Sequence, residues 1–353
     1  MFRNIQQLIL RSIIRGRPGT QSALRLRLIM LRRASVGKIF NFLSIKIQKR
    51  LRHDVITAFP YRFKIDPTNV CQLHCPLCPT GLKQSFRAKG FLPLSEFQSI
   101  VDQISSRALI LDLFGWGEPM LHPDISPMVR YATDRNVFTR MSSTLHQVQR
   151  CQLEELVDAG LGAIIVAIDG STAETHQKFR AGSDFSQLTE TIKDLVLIKK
   201  EKGTALPHIT VRMLISRHNE SQISEVKALA KELGVDAFTV GQIAINTDDA
   251  QQAALWLPRK SGISAYLKNL KNQGSCSDLW ESLVINYDGG ISPCCWQYQD
   301  KNDVGNCFKT PVAEIWNSPG MVAARRLVLG KDVPEEFKKS ACHKCQGTPD
   351  YLS

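Results

Sequence analysis

The first sixty residues contain almost no acid: Asp54 stands alone against 13 Lys/Arg. That imbalance accounts for the whole formal charge of +12, because the rest of the chain carries 45 − 13 = 32 bases and 33 − 1 = 32 acids. A neutral body lacks the net-basic footprint of a phosphate-binding surface, which argues against nucleic acid as a partner. Long apolar runs are missing too. The longest, "LGAIIVAI" at 161–168, falls far short of the roughly 18–20 residues that cross a bilayer, so the chain does not read as a spanning protein. Disulfide-scaffold density is also absent, with ten cysteines in 353 residues. Clustered thiols in a mixed α/β chain point instead to metal ligation in a reducing, cytoplasmic compartment. What is present is ordinary globular composition, 43% hydrophobic, enough to bury one large domain and a small one.

The basic head carries two helical patterns. "MFRNIQQLILRSIIRG" spaces Phe2, Ile5, Leu8, Ile9 and Ile13 among arginines, and "VGKIFNFLSIKIQKRLR" repeats the pattern with Ile39, Leu43, Ile47 and Leu51. A Gly-Arg-Pro-Gly-Thr break at 16–20 and the stretch "ALRLRLIMLRR" separate them. Such helices either lie on an anionic membrane surface, making residues 1–55 a peripheral contact, or dock on the protein's own body. An Arg-rich, acid-poor start also resembles an organellar transit peptide.

Past residue 60, strand-like and helix-like stretches alternate. "YRFKI" (61–65), "ALILDLF" (108–114), "VFTRM" (137–141), "AIIVAI" (163–168), "HITVRML" (208–214) and "VDAFTVG" (235–241) predict strands. Helical stretches fall near 95–106, 124–135, 150–159, 186–201 and 221–233. Six β/α repeats imply a parallel sheet, as a partial barrel or a doubly wound sheet, and in both the ligands gather at the C-terminal ends of the strands.

The loop after the first strand holds Cys71, Cys75 and Cys78 in "NVCQLHCPLCPTG", with no fourth cysteine beside them. A structural zinc site wants four protein ligands, and only His74 is near. Three thiolates on an iron–sulfur cubane leave one iron open for chemistry. On Cys71-x3-Cys75-x2-Cys78 the chain resembles the radical S-adenosylmethionine (radical SAM) superfamily, whose open iron chelates SAM and whose cluster cleaves it to a 5′-deoxyadenosyl radical. Further stretches carry the resemblance. Gly115-Trp116-Gly117-Glu118-Pro119 is similar to the family's "GGEP", implying that Gly115, Gly117 and Glu118 meet the methionyl ammonium. Ser142-Ser143-Thr144-Leu145 stands where the family has "STN", keeping the hydroxyl of Ser143 and lacking the Asn. Ile168-Asp169-Gly170 resembles "S-I-D-G", and "HQKFRAG" resembles "Y-x-x-x-R-x-G", which gives Arg180 to the SAM carboxylate. Leu77 falls where relatives pack an apolar residue on adenine.

A second cysteine pattern closes the chain: Cys276-x17-Cys294-x47-Cys342-x2-Cys345. Alone it would suit zinc. Beside the first motif it resembles the SPASM or twitch auxiliary domains of radical SAM enzymes. The resemblance implies a partial (β/α)6 barrel over 60–245 and an auxiliary cluster domain over 246–353; it does not extend to residues 1–59, which charge and periodicity alone give as a basic helical extension. It implies two 4Fe–4S clusters and SAM as cofactors, with Cys276, Cys294, Cys342 and Cys345 holding the second cluster. Adjacent Cys294 and Cys295 point oppositely in extended chain, so one of them faces that cluster.

Full thiolate ligation of the second cluster favours electron transfer. A single auxiliary cluster is similar to the arrangement of the aminocyclitol dehydrogenase branch, and that resemblance implies oxidation of a polar substrate, a sugar or aminocyclitol alcohol, with flavodoxin or ferredoxin as electron donor. Three alternatives stand beside it: an epimerase with a thiol hydrogen donor such as Cys307, a peptide-modifying maturase, and a non-enzymatic zinc or iron–sulfur protein. Membrane contact by the head would suit a lipid-linked sugar. Asp248 and Asp249 follow the sixth strand, but no residue of the sequence stands out as a general base.

Overall fold

The structure, a computed structural model, describes residues 34–84, 86–243, 250–259, 276–338, 340 and 342. The first head helix, Asp248, Asp249 and Cys345 lie outside the described residues. Helix α1 (Val36–Arg50) precedes six strands: β1 (Arg62–Ile65), β2 (Ile110–Leu113), β3 (Phe138–Ser143), β4 (Ala163–Ala167), β5 (His208–Ile215) and β6 (Ala237–Gln242). Between them run α2 (Leu94–Ile104), α3 (Ile125–Asp134), α4 (Arg150–Asp158), α5 (Ala173–Phe179), α6 (Phe185–Glu201) and α7 (Ile223–Glu232). The six strands pair in parallel in chain order, as the alternating sequence implies. Helix α5 is an addition that the sequence reading did not contain.

Alternation within each strand sorts side chains between two faces. In β1, Phe63 and Ile65 turn outward into the core, fully buried with Phe97 and Ile100 of α2. Burying each such side chain stabilises the fold by about 1.5–3 kcal/mol. Arg62 and Lys64 turn to the opposite face, called the inner one below. The same alternation leaves Arg140 and Ser142 of β3, and Arg212 of β5, half-buried on that face while their neighbours are buried.

The sheet does not close into a barrel. On the far side of β1 it continues with β7 (Ser282–Ile285), parallel to β1, and β8 (Ile291–Ser292), antiparallel to β7. The C-terminal segment is thus built onto the same sheet. Arg87 clamps the join: buried between the loop after β1 and the β7–β8 hairpin, it reaches Asp288 at 2.5 Å and Asp303 at 2.7 Å.

Helix α1 sits at the N-terminal ends of the strands. Its Lys38 ammonium donates to the Asn136 carbonyl ahead of β3, and its Asn41 amide binds Phe59 ahead of β1. The sequence pattern put Ile39, Leu43, Ile47 and Leu51 on one apolar face. Of these, Ile39 and Leu43 are half-buried against the core, whereas Ile47 and Leu51 are exposed, and the centre of the docking face carries Phe42 and Ile45 with Lys38, Asn41 and Gln48. Polar residues win burial there because each finds a partner, as Gln48 does with Thr57.

Candidate functional site

The thiol loop leaves the C-terminal end of β1 and is fixed on both flanks. Thr68 donates to the Gly90 carbonyl at 2.6 Å, and Asn69 exchanges two hydrogen bonds with Ala88 and Gly90. The His74 amide binds the Ala181 carbonyl at 2.9 Å, tying the loop to the chain just after α5. Two glycines permit the close approaches. A Cβ at Gly81 would strike the Cys75 backbone, and one at Gly117 would strike the Thr68 carbonyl.

Burial pushes the Cys71 thiol up to about 12, with Glu118 and the other two thiols adding to the rise. Cys75 is raised by burial as well, while Arg180 acts against it. Thiols that resist ionising alone become good ligands once a metal ion supplies the opposing charge.

The residues after the next three strands interlock around this loop. Glu118 is buried, and both of its carboxylate oxygens are occupied. One accepts from the Ser143 hydroxyl at 2.6 Å and the Met120 amide at 3.1 Å, the other from the Thr144 amide and hydroxyl, both at 2.8 Å. Its acceptor capacity is therefore filled by the protein, and the carboxylate ties the end of β2 to the end of β3. Asp169 is fully buried after β4, accepting from Arg180 at 2.6 Å and from the Leu214 amide at 2.6 Å. Arg180 then reaches Cys75 from that anchor. Burial lowers His176 to about 4, and its Nδ1 accepts from the Asp169 amide at 3.1 Å. Leu77 is half-buried in the thiol loop.

The sequence reading missed the charges on the inner face of the sheet. Asp112 is fully buried on β2 and shared by Arg62 at 2.8 Å and Arg140 at 2.6 Å. Burial alone would raise this carboxyl, but the two guanidiniums hold it down at about 2. Lys64 lies in register with Asp112 and stacks over Phe114, 5.1 Å from the ring centroid. Next along the chain at the strand end, Asp66 is 3% exposed. Its Oδ2 accepts from the Trp116 amide at 2.9 Å, while its Oδ1 has no hydrogen-bond partner among the described residues. Burial raises Asp66 to about 6, against hydrogen bonds from backbone amides and the charge of Lys64. A usable signal was present. In "RFKID" the charged residues fall at every second position, which is foreign to a parallel strand buried on both faces.

Burial pushes the Cys294 thiol up, with the charges of adjacent Cys295 and then of Cys342 and Cys276 adding to the rise, and burial pushes Cys276 up to about 12. Burial raises Cys295 too, with Lys64 and Arg62 acting against the rise and Asp278 adding to it. Cys307, the thiol expected as a hydrogen donor, packs into the hydrophobic core at 8% exposure.

The described residues form an open, mainly parallel α/β sheet with three thiols on its first loop and further thiols, Cys276, Cys294 and Cys342, in the segments around the added hairpin; among the described residues the side chains are not gathered into a ready-made metal site. Residues 65–230 match the model of the radical SAM superfamily, and residues 276–346 match SPASM, an iron–sulfur cluster-binding domain. The chain belongs to the radical SAM superfamily and carries a SPASM domain. It is an enzyme of that superfamily whose cofactors are 4Fe–4S clusters and SAM.

Among relatives, the tungsten-containing aldehyde ferredoxin oxidoreductase cofactor-modifying protein of Pyrococcus furiosus is 26% identical over 289 residues, 72% of this chain and 80% of that one. The AdoMet-dependent heme synthase of Methanosarcina barkeri is 28% identical over 185 residues, 52% and 51% of the two chains. A PqqA peptide cyclase of Rhodopseudomonas palustris is 25% identical over 53% and 48%. The chain thus matches about half the length of the last two. Among solved structures, SuiB of Streptococcus suis bound to S-adenosylmethionine superposes with a TM-score of 0.63 at 14% identity, covering 87% of this chain and 76% of that one. At that identity the likeness is one of fold.

Proposed function

We propose that this enzyme oxidises a polar substrate, a sugar or aminocyclitol alcohol, with Asp66 as the proton acceptor. When bound, the clusters and SAM supply the one-electron chemistry, removing a carbon-bound hydrogen and then the remaining electron, while a reductant such as flavodoxin or ferredoxin recharges the first cluster. The chain's own residues do the rest. The thiols of Cys71, Cys75 and Cys78 hold the first cluster, and Cys276, Cys294, Cys342 and Cys345 hold the second. Arg180, fixed by Asp169, binds an anionic group of SAM beside the thiol loop. Gly115 and Gly117 let backbone carbonyls approach its ammonium, and Glu118 braces the ends of β2 and β3 behind them. Oxidation of an alcohol releases one hydrogen atom, one electron and the hydroxyl proton, and we assign that proton to Asp66, a buried carboxylate at the strand end whose Oδ1 has no hydrogen-bond partner among the described residues.

The observation that carries this reading is the charged inner face. Arg62, Lys64, Asp66, Asp112 and Arg140 suit a polar substrate and would reject an apolar one. Peptide modification is the second reading, favoured by the similarity to PqqA peptide cyclases. The test is anaerobic reconstitution with iron and sulfide, reduction with dithionite, addition of SAM, and mass spectrometry of 5′-deoxyadenosine. A panel of cyclitols, sugars and short peptides then shows which class stimulates its formation. No deoxyadenosine from an iron-loaded protein would sink the enzyme reading, and stimulation by peptides alone would sink the alcohol.

A further inference from the structure

Helix α1 has two apolar faces. One, with Phe42 and Ile45, is fully buried against the body. On the opposite side Val36, Phe40, Ile47 and Leu51 recur at helical spacing and stand 69%, 68%, 59% and 61% exposed. Val55, just beyond the helix, is 55% exposed. Scattered exposed apolar residues are ordinary on a protein surface; a continuous stripe of large ones marks an interaction site.

Charge tells what the stripe meets. Arg107 lies beside Gly37 at its start, and Arg50 and Arg52 stand at its end, all three exposed. The nearby acids are already neutralised by cations: Asp54 by Lys331 at 3.3 Å and Arg326 at 3.8 Å, Glu281 by Lys46 and Lys49. Residues 1–33, which lead directly into the helix, add eight arginines and no acid. A second copy of the chain would bring the same positive rim against itself.

We infer that the outer face of α1 docks on an anionic lipid bilayer, its apolar stripe entering the interface and its arginines meeting the headgroups. Among the described residues no helix is long and apolar enough to cross a membrane, so the contact is peripheral. Because α1 lies at the N-terminal ends of the strands, the bilayer touches the end of the sheet opposite the thiol loop. Docking of this kind anchors the enzyme without covering the site and holds whatever the substrate is.

The test uses the full, reconstituted chain in co-sedimentation with vesicles of phosphatidylcholine alone or mixed with phosphatidylglycerol. The wild type is expected on the anionic vesicles only, with binding that weakens as salt rises. A Phe40→Asp/Ile47→Asp variant should lose at least about tenfold in partitioning. Unchanged deoxyadenosine formation in the same variant would show that the fold is intact. An Arg50→Glu/Arg107→Glu variant leaves every apolar contact in place and should lose anionic selectivity. The inference is overturned if the wild type ignores both vesicles, or if both variants bind as the wild type does, which would leave residues 1–33 to do so alone. It is also overturned if the stripe variant converts a dimer to a monomer without changing vesicle binding.

Discussion

Replacing Asp66 by Asn should change how the stability of this protein depends on pH. The carboxyl is 3% exposed and only one of its oxygens accepts an identified hydrogen bond, and burial raises it from 3.8 to about 6. A carboxyl whose folded value lies above its unfolded one binds its proton more tightly in the folded state. Its contribution to stability is therefore full below pH 3.8 and is lost as pH rises through about 6. The shift is about 6 − 3.8, roughly two units, and at 1.36 kcal/mol per unit it is worth about 3 kcal/mol. Asn has the same shape and cannot ionise. Between pH 4 and pH 8 the wild type should thus lose about 2.4 kcal/mol of this relative to Asp66→Asn, whatever constant offset the amide introduces. Denaturant unfolding of the anaerobic proteins at several pH values reads this directly. Parallel profiles for the two proteins would refute the assignment of a buried, perturbed carboxyl, and with it the case for Asp66 as proton acceptor. The same variant should lose substrate oxidation, and because the Asp66 carboxylate accepts from Trp116 between Gly115 and Gly117, SAM cleavage is measured beside it so that a displaced loop is distinguished from a lost proton acceptor.

Three further outcomes follow from the site. Alanine at Cys71, Cys75 and Cys78 together should remove about four of about eight irons per chain and abolish deoxyadenosine formation, read by iron analysis and mass spectrometry. Cys294→Ala should remove the second set of irons, whereas Cys295→Ala, on the side of Arg62 and Lys64, should keep them; equal iron loss in both would reverse that assignment. Asp169→Asn leaves the buried Arg180 without its carboxylate, and should cost about 3 kcal/mol in unfolding free energy and raise the SAM concentration needed for cleavage.

Much of the architecture was legible before any coordinates. The alternation of short apolar stretches with helical periods determined the six parallel strands, because hydrophobic period reports the local element directly. The cysteine spacing likewise determined the thiol loop, since ligands four and three residues apart need only one loop to bring them together. Other features joined residues far apart in the chain, and no local pattern records such pairings. Asp112 became the partner of Arg62 and Arg140 only when three strands came into register. Glu118 found Ser143 and Thr144 across two strand ends, and β7 took its place beside β1 from more than two hundred residues away. Which charges surround Cys294 and Cys295 likewise depended on the fold, since Lys64 and Arg62 come to Cys295 from a strand more than two hundred residues away. Helix α1 shows the division within one element. Its sequence determined that it is helical and apolar on more than one side, but which side is buried depended on the carbonyl and hydroxyl groups waiting at Phe59, Asn136 and Thr57, where Asn41, Lys38 and Gln48 could bury polar atoms with a partner.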